Sequence, residues 1–590
     1  MIKLDYSRDK LLSEFSKITL RDRYMLPGEE SPQEAFARAA EAFADDEDHA
    51  QRIYDYASNL WFMFATPVLS NGGTKRGLPI SCFLNYVDDS REGITGHYTE
   101  NAFLSSFGGG IGGYWGDVRS SGTKTSKGSE STGIIPFLKV VDAEMLAFSQ
   151  GVTRRGSYAG YLNIDHPEIE EFLDVRKPTG GDTNRKCLNL HHGIIVSDKF
   201  METIHLATKE PGYDDSWDLI DPHSGEVKKT VSAKALWVKI LQNRMESGEP
   251  YIMFEEAVNN DLPHFQQNKG LRVNQSNLCS EITLATNEER TAVCCLSSVN
   301  LEYYDKWKKI PAFIPDLIRF LDNVLESFIE TAPRELKRAK YSAMRERSIG
   351  LGAMGFHAYL QKNMVPFESA VAAALNEEIF SGIKDLADKE TRRLAVERGA
   401  CPDDDSCTVR NAHLLAIAPN ASSSILCGNT SPSIEPFRAN AFNQKTKSGS
   451  NLLKNKYLDK LLMEKIGHTD LYNETWRSIV VNKGSVQHLD CLSEYEKDVF
   501  KTAVEINQAW IIEHASERQQ YICQAQSLNL FFPPDVNKAD LHNIHMLAWA
   551  KNLKTLYYLR SEAISRADEV SSQAKREIIF EQSDCLSCEG

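Results

Sequence analysis

The chain has 590 residues, 42% of them hydrophobic and 25% charged, with a formal net charge of −15. This is the composition of a globular protein longer than one typical domain, and its acidic balance excludes a broad electrostatic surface for nucleic acid while allowing a local phosphate pocket. The densest apolar run, Leu60 to Leu69, is broken by Thr66-Pro67 and too short to span a bilayer, and the N-terminal MIKLDYSRDK has no signal-peptide stretch.

Helix signals dominate the start. Ser31-Pro32-Gln33-Glu34 reads as a capping box with proline at the first helical position. Ile53, Ala57, Leu60, Trp61 and Phe64 then recur at helical spacing, which predicts a helix that stops before Pro67. Phe107 to Gly113 contains G-x-G-x-x-G at Gly108, Gly110 and Gly113. No strand-like alternation precedes it and Tyr114-Trp115-Gly116 is a poor helix start, so a dinucleotide fingerprint is not expected there. Glycines this dense suit close backbone approach or a loop near phosphates. Ser149 to Ser157, with Arg154, Arg155 and two glycines, reads either as a second such loop or as a solvated turn.

Short apolar runs at Gly193–Val196, Ala292–Leu296 and Leu414–Ile417 suit buried strands covered by helices, hence an α/β fold. In an extended segment Asn277, Cys279 and Glu281 project from one face, aligning an amide, a thiol and a carboxylate. Cys294-Cys295 and Ser81-Cys82 add two further cysteine-bearing stretches. Twelve cysteines without framework spacing predict reduced thiols in a cytoplasmic setting rather than structural disulfides. The chain ends on Cys585-Leu586-Ser587-Cys588-Glu589-Gly590 behind the largely polar stretch Ser571 to Asp584. A Cys-x-x-Cys pair on such a tether suits a carrier of reducing equivalents. A metal half-site, which would need about four ligands in all, and an incidental pair are the alternatives.

Taken together, Ala65-Thr66-Pro67, Ser81-Cys82, Ser276-Asn277-Leu278-Cys279-Ser280-Glu281, Cys294 with Leu296-Ser297, Pro419 to Ser424, Leu553 to Tyr558 and the terminal Cys585/Cys588 occur in the order of a known family. The chain resembles the large, catalytic subunit of class I ribonucleoside-diphosphate reductase. The resemblance implies a ten-stranded α/β barrel at 66–570, an N-terminal helical region at 1–65 without an ATP-cone, and a mobile redox tail at 571–590. It makes Cys279 the thiyl-radical site, Glu281 the base for the 3'-hydroxyl, Asn277 a partner of the ribose hydroxyls, and Cys82 with Cys294 the reducing pair. By the same token Cys585 and Cys588 would reset that pair, and Tyr557-Tyr558 would relay a radical from a separate small subunit.

Substrate-binding positions are implied at Thr66, Ser81, Pro419, Asn420, Ala421, Ser422 and Ser423, where Ala421 replaces the glutamate usual in class I. A dNTP or ATP specificity effector is implied at Asp89, Ser106, Arg119, Arg154 and Arg155, with the glycine cluster in the effector loop. Cys295, adjacent to Cys294, would face away from the site by strand alternation. The implied partners are the radical-generating small subunit, a thioredoxin- or glutaredoxin-type reductant and a second copy in an effector-promoted homodimer, with no metal in this chain. A cobalamin-dependent class II reductase, a nucleotide-binding regulatory protein and a generic thiol–disulfide oxidoreductase are the competing readings; adjacent tyrosines have no relay to serve in the first.

Overall fold

The computed structural model describes residues 2–148, 156–446 and 449–561. Three helices come first: α1 (Glu14–Arg23), α2 (Pro32–Phe43) and α3 (Glu47–Ser58). Ser31 caps α2 by accepting from the Gln33 amide. Glu34 reaches back to the Glu30 amide rather than to Ser31, so the start is a cap without the full box. The helix expected to run toward Pro67 instead ends at Ser58, because Leu60 turns the chain at φ 61°. Residues Phe62–Phe64 form a strand, β1, and α4 (Thr66–Asn71) begins with Pro67 in its first turn.

β2 (Cys82–Tyr86), β3 (Gly110–Tyr114), β4 (Ser157–Asn163), β5 (His191–Val196) and β8 (Tyr251–Phe254) pair successively in parallel; a hairpin, β6 (Ser216–Ile220) with β7 (Val227–Ser232), stands apart. Between them, α5 (Arg91–Ser106) and α6 (Ile135–Ala147) pack together on the outside. β9 (Ala292–Asn300) reverses direction and pairs antiparallel with β2, and β10 (Ile349–Met354) pairs parallel with β9. The helix Phe313–Thr331 covers β9 and β10.

The run Leu414–Ile417 is buried as expected but appears as single bridges, Leu351↔Leu415 and Ile417↔Gln526, rather than as a regular strand. Backbone hydrogen bonds continue across it: Leu351 N to Leu414 O at 2.8 Å, Ile417 N to Ala525 O at 3.0 Å, and Tyr557 N to Leu528 O at 2.9 Å. Beyond a further hairpin, β11 (Ala441–Thr446) with β12 (Gly449–Lys454), and the short pair β13 (Leu530–Phe532) with β15 (Leu559–Ser561), β14 (Thr555–Leu556) pairs antiparallel with β8. The sheet thus comprises nine strands, curled so that both faces are covered. No helix among the described residues is long and apolar enough to cross a membrane.

Candidate active site

From Gly110 on, the glycine cluster is strand β3 rather than a loop, with Gly108 and Gly109 in the turn before it. Its glycines serve close approach: a Cβ on Gly112 would collide with the Ser276 carbonyl oxygen, and one on Gly113 with the Tyr158 hydroxyl. The segment carrying Cys279 therefore lies directly against β3. Gln275 ties it there, with Nε2 donating to the carbonyls of Asn85 (2.9 Å) and Gly112 (3.1 Å).

The extended conformation expected for Asn277–Glu281 is replaced by a tight turn. Ser280 N donates to Asn277 O at 3.3 Å and Ser280 sits at φ 64°, in the left-handed region. Asn277 Oδ1 accepts from the amides of Glu281 and Ile282, each at 3.1 Å. A side-chain amide that satisfies backbone donors in this way offers the backbone an alternative to a strand ladder. The turn still gathers the three groups: Asn277, Cys279 and Glu281 are all buried. With its oxygen committed, Asn277 leaves Nδ2 buried and without a partner among the described residues. Tyr161 donates to Asn277 O (2.8 Å), Thr555 to Ser280 O (2.7 Å), and Ser527 Oγ lies 2.5 Å from Cys279 O and 3.1 Å from Glu281 Oε2.

Cys82 and Cys294 are register partners on the antiparallel strands β2 and β9, with both thiols buried. Directly opposed antiparallel residues have Cα atoms about 4.5–5.5 Å apart, within the span of a disulfide. Burial pushes the Cys294 thiol well above its ordinary range, with Cys295, Cys82 and Glu281 pushing the same way and an N–H from Gln524 opposing them. Cys295 points the other way, its sulfur 3.3 Å from Leu321 O on the covering helix.

Tyr557 and Tyr558 pack with ring centroids 4.3 Å apart, in the same apolar cluster as Cys279 and Leu278. Tyr251 contacts both rings, at 4.8 and 5.1 Å. The Tyr558 hydroxyl lies 3.3 Å from His191 Nδ1. His191 in turn lies 2.5 Å from Glu249 Oε1, to which Arg176 also donates at 2.5 Å. Burial opposes ionisation of Glu249, but Arg176 and His191 outweigh it and hold the carboxyl well below its usual range. Arg560 stacks over the Tyr558 ring at 4.1 Å.

Thr66 opens α4, its hydroxyl 3.1 Å from that of Tyr24. Ser81 is buried next to Cys82, and its carbonyl accepts from Gly110 N at 2.6 Å. Pro419 and Asn420 lead into the short helix Ala421–Leu426, whose first turn carries Ser422 and Ser423. The two helix starts are anchored side by side on β9: Ala65 N donates to Ser297 Oγ at 3.3 Å, and the Asn420 amide lies 2.8 Å from Ser298 Oγ.

The effector candidates fall at two ends of α5. Asp89 is paired with Arg119 at 2.8 Å before its N-terminus, whereas Ser106 is its last residue, next to Ser105, on which Gly156 packs. A helix of 16 residues separates these ends by about 22 Å. Arg154, Arg155, Cys585 and Cys588 lie outside the described residues.

Sequence reasoning missed Tyr161, Tyr251, Gln524, Ser527 and the group of Arg176, His191 and Glu249. Gln524-Ala525-Gln526-Ser527 reads as a polar loop, and only the fold reveals that it is buried. Among the described residues no group of three or more His, Cys, Asp or Glu side chains could hold a metal ion.

Comparison with known proteins matches residues 80–405 and 404–559 to the family described as "Ribonucleotide reductase, barrel domain" and residues 10–77 to "Ribonucleotide reductase, all-alpha domain". The chain is 46% identical to the ribonucleoside-diphosphate reductase large subunit of Invertebrate iridescent virus 3, covering 100% of both chains. It is 48% identical to a putative large subunit of Frog virus 3 over 92% of each. Its fold is similar to that of the Actinobacillus ureae class Id ribonucleotide reductase alpha subunit, with a TM-score of 0.81, 35% identity and coverage of 95% of this chain and 98% of that one.

Proposed function

Because the chain belongs to the ribonucleotide reductase family, as the large subunit of a two-subunit ribonucleoside-diphosphate reductase, we propose that Cys279 is its hydrogen-atom-abstracting thiol and Cys82 with Cys294 its reducing pair. A thiyl radical on Cys279 takes the 3' hydrogen of the ribose. Glu281 accepts the 3'-hydroxyl proton, and Asn277 Nδ2 donates to a ribose hydroxyl. The 2'-hydroxyl leaves as water, the two thiols supply two electrons and two protons, and they close to a disulfide. The 3' hydrogen then returns and restores the radical on Cys279. The observation that carries this reading is the buried, unused Nδ2 of Asn277, held in one turn with Cys279 and Glu281.

We read the fold as a ten-stranded barrel of two five-stranded parallel halves: β2, β3, β4, β5 and β8, then β9, β10, 414–417, 524–528 and β14. The hydrogen bonds that continue from β10 through Leu414 and Ala525 to Tyr557 support that closure. In the proposed domain plan, 1–65 is the helical region, 66–570 the barrel and 571–590 the redox tail.

Substrate diphosphate binds at Thr66, Ser81 and Pro419–Ser423. The radical enters from the small subunit through Tyr558 and then Tyr557. Cys585 and Cys588 carry electrons from a thioredoxin- or glutaredoxin-type protein to the Cys82–Cys294 disulfide. A dNTP or ATP effector takes Asp89, Ser106, Arg119 and the 149–157 loop. The two ends of α5 are too far apart for one nucleotide to touch within a single chain, but antiparallel pairing of α5 with a second copy would bring them together. Phe103 on α5, Val140 and Leu146 on α6 and Phe148 just after it are exposed and supply an apolar face for such a homodimer.

The test is ribonucleoside-diphosphate reduction by the full chain with its small subunit. Cys279→Ser and Tyr558→Phe should each abolish turnover while the chain melts as wild type. Retained turnover in Tyr558→Phe would remove the relay. Activity with adenosylcobalamin and no second subunit would move the chain to class II.

A further inference from the structure

Gln524 is fully buried, and its backbone is fixed from three directions. Its amide donates to Leu415 O at 3.2 Å, and its carbonyl accepts from Lys554 Nζ at 2.8 Å and Gln519 Nε2 at 3.0 Å. The side chain therefore enters the barrel from a set position. Its Nε2 donates to Ile349 O at 2.9 Å. A carbonyl oxygen only accepts, so this contact determines which way round the amide sits. The second donor direction of the same nitrogen is occupied by Cys294 Sγ, at 3.6 Å, a separation suited to sulfur as a large acceptor. On another side Gly350 closes the space, since a Cβ there would stand 2.9 Å from the same sulfur. Gln524 Oε1 is buried and has no partner among the described residues, so the two donor contacts alone account for the orientation.

We propose that Gln524 is a positioning residue for the reducing pair, holding the Cys294 sulfur so that it is the one released as a thiolate when the Cys82–Cys294 disulfide is reopened. The proposal rests on the reading of Cys82 and Cys294 as the pair oxidised in turnover. In the step itself an incoming thiolate attacks Cys82 Sγ. The S–S bond breaks, a mixed disulfide forms on Cys82, and the electron pair leaves on Cys294 Sγ, where the Gln524 N–H meets it until a proton arrives. Attack on the other sulfur would leave the charge on Cys82, to which this N–H does not follow. Disulfide exchange is faster when the leaving sulfur better bears its charge, and a hydrogen bond to a charged group is among the stronger ones.

The experiment uses the full chain with its tail cysteines replaced (Cys585→Ser/Cys588→Ser), oxidised by one turnover with the small subunit. The oxidised chain is exposed briefly to 2-mercaptoethanol, quenched with iodoacetamide and read by peptide mass spectrometry. Mixed disulfide on Cys82 with alkylation on Cys294 should exceed the reverse by about tenfold. Gln524→Leu and Gln524→Met should each bring the ratio toward one. The ratio is read on chain recovered as folded protein by size exclusion before the exposure, so molecules that have lost the fold do not contribute to it. Predominant mixed disulfide on Cys294, or a ratio unchanged in both variants, would overturn the proposal. If no Cys82–Cys294 crosslink is present after turnover, the reading of the reducing pair fails, and the positioning role fails with it.

Discussion

The thiol and tyrosine ends of this site are adjacent yet built from different materials. Around Cys279, Cys82 and Cys294 the hydrogen bonds come mostly from neutral amides, hydroxyls and backbone: Asn277, Gln275, Gln524, Ser527, Tyr161 and Thr555. Glu281 adds a carboxylate to that set. Around Tyr558, His191 lies within hydrogen-bond reach and is linked in turn to Glu249 and Arg176, and Arg560 covers the ring. In the proposed mechanism, exchange of a hydrogen atom between Cys279 and the ribose moves no net charge, so neutral groups suffice to position that thiol. A tyrosine that gives up an electron must also release its phenolic proton, and titratable neighbours can respond to that charge. The difference teaches that burial alone does not make two redox sites alike.

Substitutions can break that contrast. The largest effect is expected from Gly112→Ala, which drives a Cβ into the Ser276 carbonyl and displaces the Cys279 turn. Turnover should fall below detection, with about 1–3 kcal/mol of stability lost to overpacking. Native turnover in this variant would show that the turn does not depend on the glycine strand.

Next comes Glu249→Gln, which leaves Arg176 and His191 without their buried counter-charge. Arg176 is partly exposed, so the loss should fall below that of a fully buried pair, at about 2–3 kcal/mol in denaturant melts. Reduction of a preformed Cys82–Cys294 disulfide by a small dithiol should be unaffected, because the described bonds of Glu249 go to Arg176, His191 and His192 rather than to the cysteine-bearing strands. A smaller effect concerns pH. The Glu249 carboxyl is held well below its ordinary value of 4.5, so folded chains bind that proton at lower pH than unfolded ones. Its stabilisation is present above the ordinary carboxylate value and is lost as pH falls through the folded value. Acid melts of wild type should therefore be steeper below pH 4.5 than those of Glu249→Gln. The smallest change is expected from Ser527→Ala, which removes one hydroxyl contact to Cys279 O and Glu281. It should cost about 1 kcal/mol and lower kcat more than it raises KM.

Much of the proposed chemistry rests on short, ordered motifs that a linear reading can find: cysteines at 82, 279 and 294, the Asn277/Glu281 pair around the central one, and two adjacent tyrosines. Strands β5 and β9 announced themselves as apolar runs, since strands covered on both faces carry no alternation. Local conformation was less legible. Helical spacing through Leu60 and Phe64 was a true apolar pattern serving a turn and then a strand. The extended reading of 277–281 failed because the Asn277 side chain replaces a strand partner, a competition that spacing does not register. The glycine cluster kept its physical meaning, close approach, and what it approaches is the segment that carries Cys279. Polar residues such as Gln524 and Glu249 are buried only by long-range packing and look like surface in a linear reading.

Cys82 and Cys294 stand at the junction where the direction of the sheet reverses, between a parallel set that begins with β2 and one that begins with β9. A covalent bond there would tie the two halves of the molecule together across a contour of roughly two hundred residues. Such a crosslink narrows the denatured ensemble by about 5 kcal/mol in chain-entropy terms. The enzyme would then carry a closed loop with two free tails after each catalytic event and be a linear chain once reset. Its thermal midpoint would serve as a clock for where in the cycle a population of molecules has stopped.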